Sequence, residues 1–329
     1  MEEESPDQNP YVEPKPGEYL VVGSVSGGKD STAMALHLKE LGHDYKLVFA
    51  DTGWEDEKTY DYVRNVLPKV LGPIEWVRTD IELDDEREQI ALEFEERLGF
   101  YSPMVRSCLR KRIFPSRMVR WCTFNLKVDP LKRYMRAMDE KIINAVGIRA
   151  EESVSRAKMP MREPQPSFKC DVWRPLLHWS LDDVIAIHRR HGIKPNPKYL
   201  EGSERVGCWP CIYARKSEIR QFAFDEKRVQ ILSDLEKAVT KIQNADRIAK
   251  GKDPIPPNGW FQSRNGFITD ETGRRWKDGL RWPIEKVIDW SRTSRGGKQV
   301  ELFATVAAES GCVRWGLCEA AKDPSEDKL

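Results

Sequence analysis

The sequence has no run of about 18 consecutive apolar residues, so it offers no membrane-spanning helix of ordinary length. Its opening, MEEESPDQNP, is acidic and polar, which is not the pattern of a secretory signal peptide. Together these absences lead to the expectation of a soluble, cytoplasmic protein with no membrane partner. Charge of one sign is missing too: 54 Lys and Arg face 53 Asp and Glu, a net +1, so overall charge selects no partner and only local clusters can. Seven cysteines are an odd number in a chain of 329 residues, too long for a disulfide-stapled miniature fold. They are expected to be thiols or metal ligands in a reducing compartment. No internal repeat or long low-complexity segment is present.

What is present is 40% apolar residue content, enough for a real core, at a length that predicts one sizeable domain and a smaller module. Residues 1–17, acidic and then Pro-rich, read as a flexible tail. From Tyr19 onward, β-branched runs alternate with helical periods: Tyr19–Val25, a helix from about Ser31 to Leu41, Lys46–Asp51, a helix from about Lys58 to Val70, then Ile74–Thr79. That is βαβαβ, hence an α/β doubly wound parallel sheet. Helices follow at Asp84–Leu98 and Val128–Met138, Ile142–Ile148 reads as a fourth buried strand, and Ser180 with Asp183 forms a capping box ahead of Gly192. Past Pro195 the texture becomes turn-rich, with one charged helical stretch at about Glu218–Lys250. The expected division is therefore a nucleotide-binding domain at 18–199 and, at 200–329, a mostly helical and irregular module carrying Cys and Trp for substrate or partner.

Between the first strand and the first helix lies SVSGGKDST, residues 24–32. Free backbone N–H groups and the positive end of a helix meet there, which suits a phosphate. Gly27 and Gly28 let the backbone approach closely and Lys29 adds charge. Counted from Gly23, the phosphate-loop template G-x-x-x-x-G-K-[ST] is met up to Lys29, but Asp30 stands where a magnesium-binding hydroxyl belongs. The bland alternative is a tight turn with glycines for geometry alone.

The stretch SGGKDS at 26–31 resembles the PP-loop of the ATP pyrophosphatases, the adenine nucleotide alpha hydrolase superfamily, and further segments are similar to its PAPS reductase-like branch. These are FADTGWEDEKTYDYV at 49–63, RWCTFNLKVDPL at 120–131, VGIRAEESVSRA at 146–157, RPLLHWSLDDV at 174–184 and GIKPNPKYLEGSERVGCWPC at 192–211. The resemblance implies a loop of Ser26, Gly27, Gly28, Lys29, Asp30 and Ser31 that holds the β- and γ-phosphates of Mg²⁺-bound ATP while the bond between α and β is cleaved. Asp51, at the end of the second strand, would serve the ribose or Mg²⁺. Arg149 would clamp phosphate or a leaving anion, with Glu151, Glu152 and Arg156 beside it unless they form an ion-paired structural loop. Lys127 joins Lys29, Arg149, Glu151 and Arg156 as a substrate or catalytic group. Dedicated sulfonucleotide reductases usually lack this loop lysine and end in a catalytic Cys beside Gly-Leu-His; here Lys29 is present and the tail reads CEAAKDPSEDKL.

Cys208-Trp-Pro-Cys211 alone cannot distinguish a redox dithiol, zinc and an iron–sulfur cluster. The resemblance aligns Cys122 with the paired cysteines of cluster-bearing reductases, whose first member is here Trp121. It thus implies a [4Fe–4S] site of Cys122, Cys208, Cys211 and a fourth ligand, for which Cys318 in RWGLCE is favoured over Cys312, Cys170 and Cys108. Structural zinc and unligated thiols are the alternatives. Arg106, Arg110, Lys111, Arg112, Arg117 and Arg120, with Lys127 after them, form either a solvated cationic loop or a track for phosphate or nucleic acid. Trp260, Trp276, Trp282 and Trp290, interleaved with Arg274, Arg275, Arg281 and Arg292, either stack bases or fill a small core, and SRTSRGGKQ at 291–299 is a weaker second glycine loop.

The expected function is ATP-dependent adenylation, in sulfur transfer to nucleic acid or a small metabolite, with a sulfur donor protein as a possible partner. A PAPS or APS reductase is the first alternative. The second is a non-catalytic ATP-binding accessory of a phage, DNA-modification or CRISPR system.

Overall fold

The computed structural model describes residues 13–256, 258–262, 268–269, 275–276, 281–293 and 315. The first strand, β1 (Leu20–Ser24), runs into helix α1 (Lys29–Glu40) and returns as β2 (Tyr45–Ala50); β3 (Ile74–Val77), β4 (Ile142–Ala145), β5 (Arg162–Gln165) and β6 (Cys170–Trp173) complete the sheet. The order is β3-β2-β1-β4-β6-β5. Strand β1 is parallel to β2 and β4, β4 is parallel to β6, and β5 closes the edge antiparallel to β6. This is a mostly parallel α/β sheet with flanking helices, as the alternating periods predict.

Central strands need apolar residues on both faces because helices cover both. Val21, Val22, Leu47, Val48, Phe49 and Ile143 are accordingly buried, as are Ala33, Met34, Ala35, Leu36 and Leu38 of α1. Gly23 leaves room in β1 for the Met34 side chain of α1, whose terminal methyl would have to shift from a Cβ placed 2.9 Å away. Helix Leu181–Arg190 packs on α1 and begins with the predicted capping box of Ser180 and Asp183.

Several expectations are corrected. The fourth strand stops at Ala145 rather than Ile148, because the chain must then carry Gly147 against the backbone of Asp30, where a Cβ would lie 2.7 Å from its carbonyl oxygen. The helical stretch from Glu218 is two helices, Lys216–Phe222 and Glu226–Ala249, with Asp225 capping the second through the Arg228 amide at 3.1 Å. Strands β5 and β6 and helix Pro103–Lys111 were not anticipated.

The contacts gather into two compact units. One takes its described residues from 1–49, 62–76 and 131–195, and the other from 50–61, 77–130 and 196–329. In the second, helices Asp85–Leu98, Pro103–Lys111 and Glu226–Ala249 surround a core containing Trp54, Phe114 and Trp260. Trp260 is therefore core rather than a base-stacking surface, and Arg281 is buried, donating to the Pro115 carbonyl at 2.9 Å. The side chains of Trp276 and Arg275, the whole of Arg274, and residues 294–299 of the suggested second glycine loop at 291–299 lie outside the described residues. No described helix is long and apolar enough to cross a membrane.

Candidate active site

In the first unit the glycine loop is built as strand, tight turn and helix start. Gly27 has φ +74°, a conformation costly for any residue with a Cβ, and Gly28 is the N-cap of α1, which no side chain caps. Ser31 stitches the turn: its Oγ accepts the Ser26 N–H at 3.1 Å and donates to the Gly28 carbonyl at 3.0 Å. Asp30 lies between two cations, 3.3 Å from Lys29 Nζ and 2.6 Å from Arg149 Nε. Arg149 is almost fully buried and also donates to Glu151 at 2.7 Å; Glu152 takes the Arg149 amide at 3.0 Å and pairs with Arg156. Glu151, Glu152 and Arg156 thus do form an ion-paired loop, and the Asp that breaks the phosphate-loop template is what ties Arg149 to the turn.

The second unit holds a different cluster. Asp51, one residue beyond β2, accepts the Gly53 amide at 2.9 Å and the Tyr60 hydroxyl at 2.8 Å, and burial pushes its carboxyl above the ordinary range. Thr52 and Tyr60 also donate to Glu55, at 2.8 and 2.9 Å. Glu55 is buried, and Lys127 Nζ lies 3.8 Å away. The Cys208–Cys211 turn is pinned to this stretch by a bridge between Glu55 and Cys208 and by the Trp209 amide, which donates to the Trp54 carbonyl at 2.8 Å. Cys208 Sγ consequently sits 3.7 Å from Glu55 and 3.8 Å from Thr52 Oγ1.

Cys122, Cys208 and Cys211 are close enough to act on one another electrostatically. Burial pushes the Cys208 thiol up to about 12, with Lys127 opposing and Glu55 reinforcing the shift, and burial raises Cys122 as well. The neighbouring Cys208 sulfur and then the Glu55 carboxylate raise Lys127 above the ordinary lysine range. Soft sulfur donors suit zinc or an iron–sulfur cluster. Among the described residues, however, no group of three or more His, Cys, Asp or Glu side chains is gathered tightly enough to hold a metal ion. Cys312 and the expected fourth ligand, Cys318, lie outside the described residues; Cys170 begins β6 and Cys108 is a fully buried core thiol. Sequence reasoning brought Cys122, Cys208, Cys211 and Lys127 forward but missed Glu55, Thr52 and Tyr60. Their only signal was a place within FADTGWEDEKTYDYV.

The basic cluster divides. Arg106 is a buried structural arginine, held by Glu88 and Glu95 at 2.7 Å each, and Arg112 pairs with Asp246 at 2.6 Å. Arg110, Lys111, Arg117 and Arg120 remain exposed.

An open, mostly parallel α/β sheet with a glycine-lysine turn at a helix start defines a broad class of phosphate-loop-like proteins. Within it, residues 20–214 match the phosphoadenosine phosphosulfate reductase domain, and the chain belongs to that family. It is 33% identical over 335 residues to a 37.8 kDa protein from the gpa 5′ region of Escherichia phage 186, covering 90% of this chain and 96% of that one. It is also 33% identical over 118 residues to the adenosine 5′-phosphosulfate reductase of Allochromatium vinosum, covering 35% of this chain and 40% of that one. With adenosine 5′-phosphosulfate reductase 1 of Bacillus subtilis the identity is 25% over 196 residues, or 59% and 74% of the two chains. The crystal structure of phosphoadenylyl-sulfate reductase from Candida auris, a phosphate complex, is 19% identical, covers 58% of this chain and 82% of its own, and superposes with a TM-score of 0.42.

Proposed function

We propose that the chain is an adenylating enzyme that binds Mg²⁺-ATP at Ser26–Ser31, cleaves the α–β bond, and passes AMP to an acceptor in sulfur transfer to nucleic acid or a small metabolite. The observation that carries this reading is the intact loop: Gly27 with φ +74°, the uncapped start of α1, and Lys29 beside Asp30. First-turn amides and Lys29 hold the departing pyrophosphate, and an electrostatic role of this kind is the largest catalytic contribution expected of such a site. Arg149, buried and anchored by Asp30 and Glu151, fixes the loop's shape and presents positive charge toward the nucleotide phosphates. Asp51 serves the ribose or Mg²⁺. In functional terms, 18–199 remains the nucleotide-binding part and 200–329 the substrate or partner module.

A metal centre is not part of this reading, because Cys122, Cys208 and Cys211 interact electrostatically yet form no group among the described residues tight enough to hold a metal ion. Lys127 instead lies beside the buried Glu55 carboxylate at 3.8 Å and offers a positive charge next to the thiols. The same cluster, with the adenosine 5′-phosphosulfate reductases among the relatives, favours a second reading in which an adenylyl sulfate is reduced.

One experiment separates the two. Protein purified without air is given either Mg²⁺-ATP with a nucleic-acid or small-metabolite acceptor and a sulfide donor, or phosphoadenylyl sulfate with a reduced dithiol protein. Pyrophosphate and AMP from the first arm are expected; sulfite from the second arm, with ATP untouched, replaces the first reading by the second. Lys29→Ala is expected to lower AMP formation by at least ~100-fold, the scale of a lost oxyanion donor.

A further inference from the structure

The exposed remainder of the basic cluster adjoins apolar surface that no core absorbs. Between Gly99 and Val128 the chain carries no Asp or Glu. Among the described residues, Arg110, Lys111, Arg117 and Arg120 have no carboxylate within ion-pair distance, unlike Arg106 and Arg112. In the same turn Met118 is 82% exposed, Val119 52%, and Phe124, one helical turn on from Arg120, 55%. The turn is not loose: Ser116 and Val119 are joined by a backbone bond at 3.0 Å, and Arg117 Nε reaches the Ile212 carbonyl at 3.4 Å.

Arg117 and Arg120 both stand over the Tyr213 ring, at 5.6 and 5.3 Å from its centroid. Tyr213 is also a wall of a small cleft of about 50 Å³, lined further by Lys198, Arg205, Glu218, Cys208 and Cys211. Arginine planes, an aromatic ring and exposed apolar side chains thus lie together beside the cleft of the Cys208–Cys211 turn.

We infer that this strip binds a single-stranded nucleic acid, whose phosphates run along Lys111, Arg117 and Arg120 and whose unstacked bases lie on Met118, Phe124 and Tyr213. Charge alone would serve a duplex equally well. The apolar side chains decide for a single strand, because a duplex hides the base faces they would cover. This names the acceptor in the reaction proposed above and rests on that reading for the chemistry, though not for the binding.

The test is fluorescence anisotropy of the full chain with a labelled RNA strand, the same sequence as single-stranded DNA, and its DNA duplex, without ATP and across a range of salt. Single strands are expected to bind more tightly than duplex, and the RNA and DNA arms then show which sugar is preferred. Arg117→Gln with Arg120→Gln should flatten the dependence of log affinity on log salt by about 1.4, at roughly 0.7 per phosphate contact. Phe124→Ala should weaken binding by roughly tenfold with the salt slope kept. Because Arg117 also bonds the Ile212 carbonyl, the melting temperature of each variant is measured alongside, and a folded variant is the one whose binding is compared. Preference for duplex, variants that bind like the wild type, or no salt-dependent binding overturns the inference, the last leaving this face to a protein partner. Strand binding without ATP cleavage would remove only the adenylation reading, and AMP formation without strand binding would remove only this one.

Discussion

At the scale of single residues, Asp30 is the position on which the site turns. A serine or threonine there would complete the common phosphate-loop template, yet the carboxylate is what holds Arg149 and Lys29 in place. Asp30→Ser, which repairs the template on paper, is therefore expected to destabilise the fold by about 2–3 kcal/mol, because the nearly buried Arg149 would keep only Glu151 as partner. Chemical denaturation measures this; a variant as stable as the wild type would show that Arg149 needs no anchor. The role of Asp30 was half legible in the sequence. Its departure from the template was visible, but its partner lies 119 positions away and only folding brings the two together. Glu55 was not legible at all, since one acid in an acidic stretch carries no mark of its burial against Cys208 and Lys127.

At the scale of elements, strand and helix periods predicted β1 to β4, α1 and the capping box at Ser180, because each has a clean apolar face or a cap. Strand β5 escaped: it contains Pro164, which an edge strand tolerates and a central one does not. Helix Pro103–Lys111 escaped because its buried face includes Arg106, whose charge hid the helical period until Glu88 and Glu95 satisfied it.

Helix Glu226–Ala249 carries a second concealed contact. Glu236 accepts the amides of Trp260 at 2.6 Å and Ile284 at 2.9 Å, and burial lifts its carboxyl to about 8, the two amides opposing and Glu285 reinforcing. Its folded pKa lies above the unfolded value near 4.5, so the folded state binds the extra proton between those values and stability falls as pH rises from about 4.5 to about 8. Glu236→Gln should be less stable at low pH but lack this slope. A wild-type stability curve that runs parallel to the variant's across that window would contradict the assignment.

At the scale of the whole molecule, the chain belongs to the phosphoadenosine phosphosulfate reductase domain family, and a phage protein follows it over 90% of its length. The two compact units are interleaved in sequence, so residues 50–61, 77–130 and 196 onward, distant in the chain, assemble one cluster of thiols, Lys127 and Glu55. Sequence could name most members of that cluster through resemblance, but it could not give their protonation, which depends on burial.

The central claim is that the Ser26–Ser31 loop grips pyrophosphate rather than a transferable γ-phosphate. Its most direct test is a single-turnover reaction of the full chain with ATP labelled in the γ-phosphate, in the presence of Mg²⁺ and a single-stranded RNA or DNA acceptor. The account predicts label in pyrophosphate together with unlabelled AMP or an adenylated strand; label in free phosphate together with ADP would contradict it.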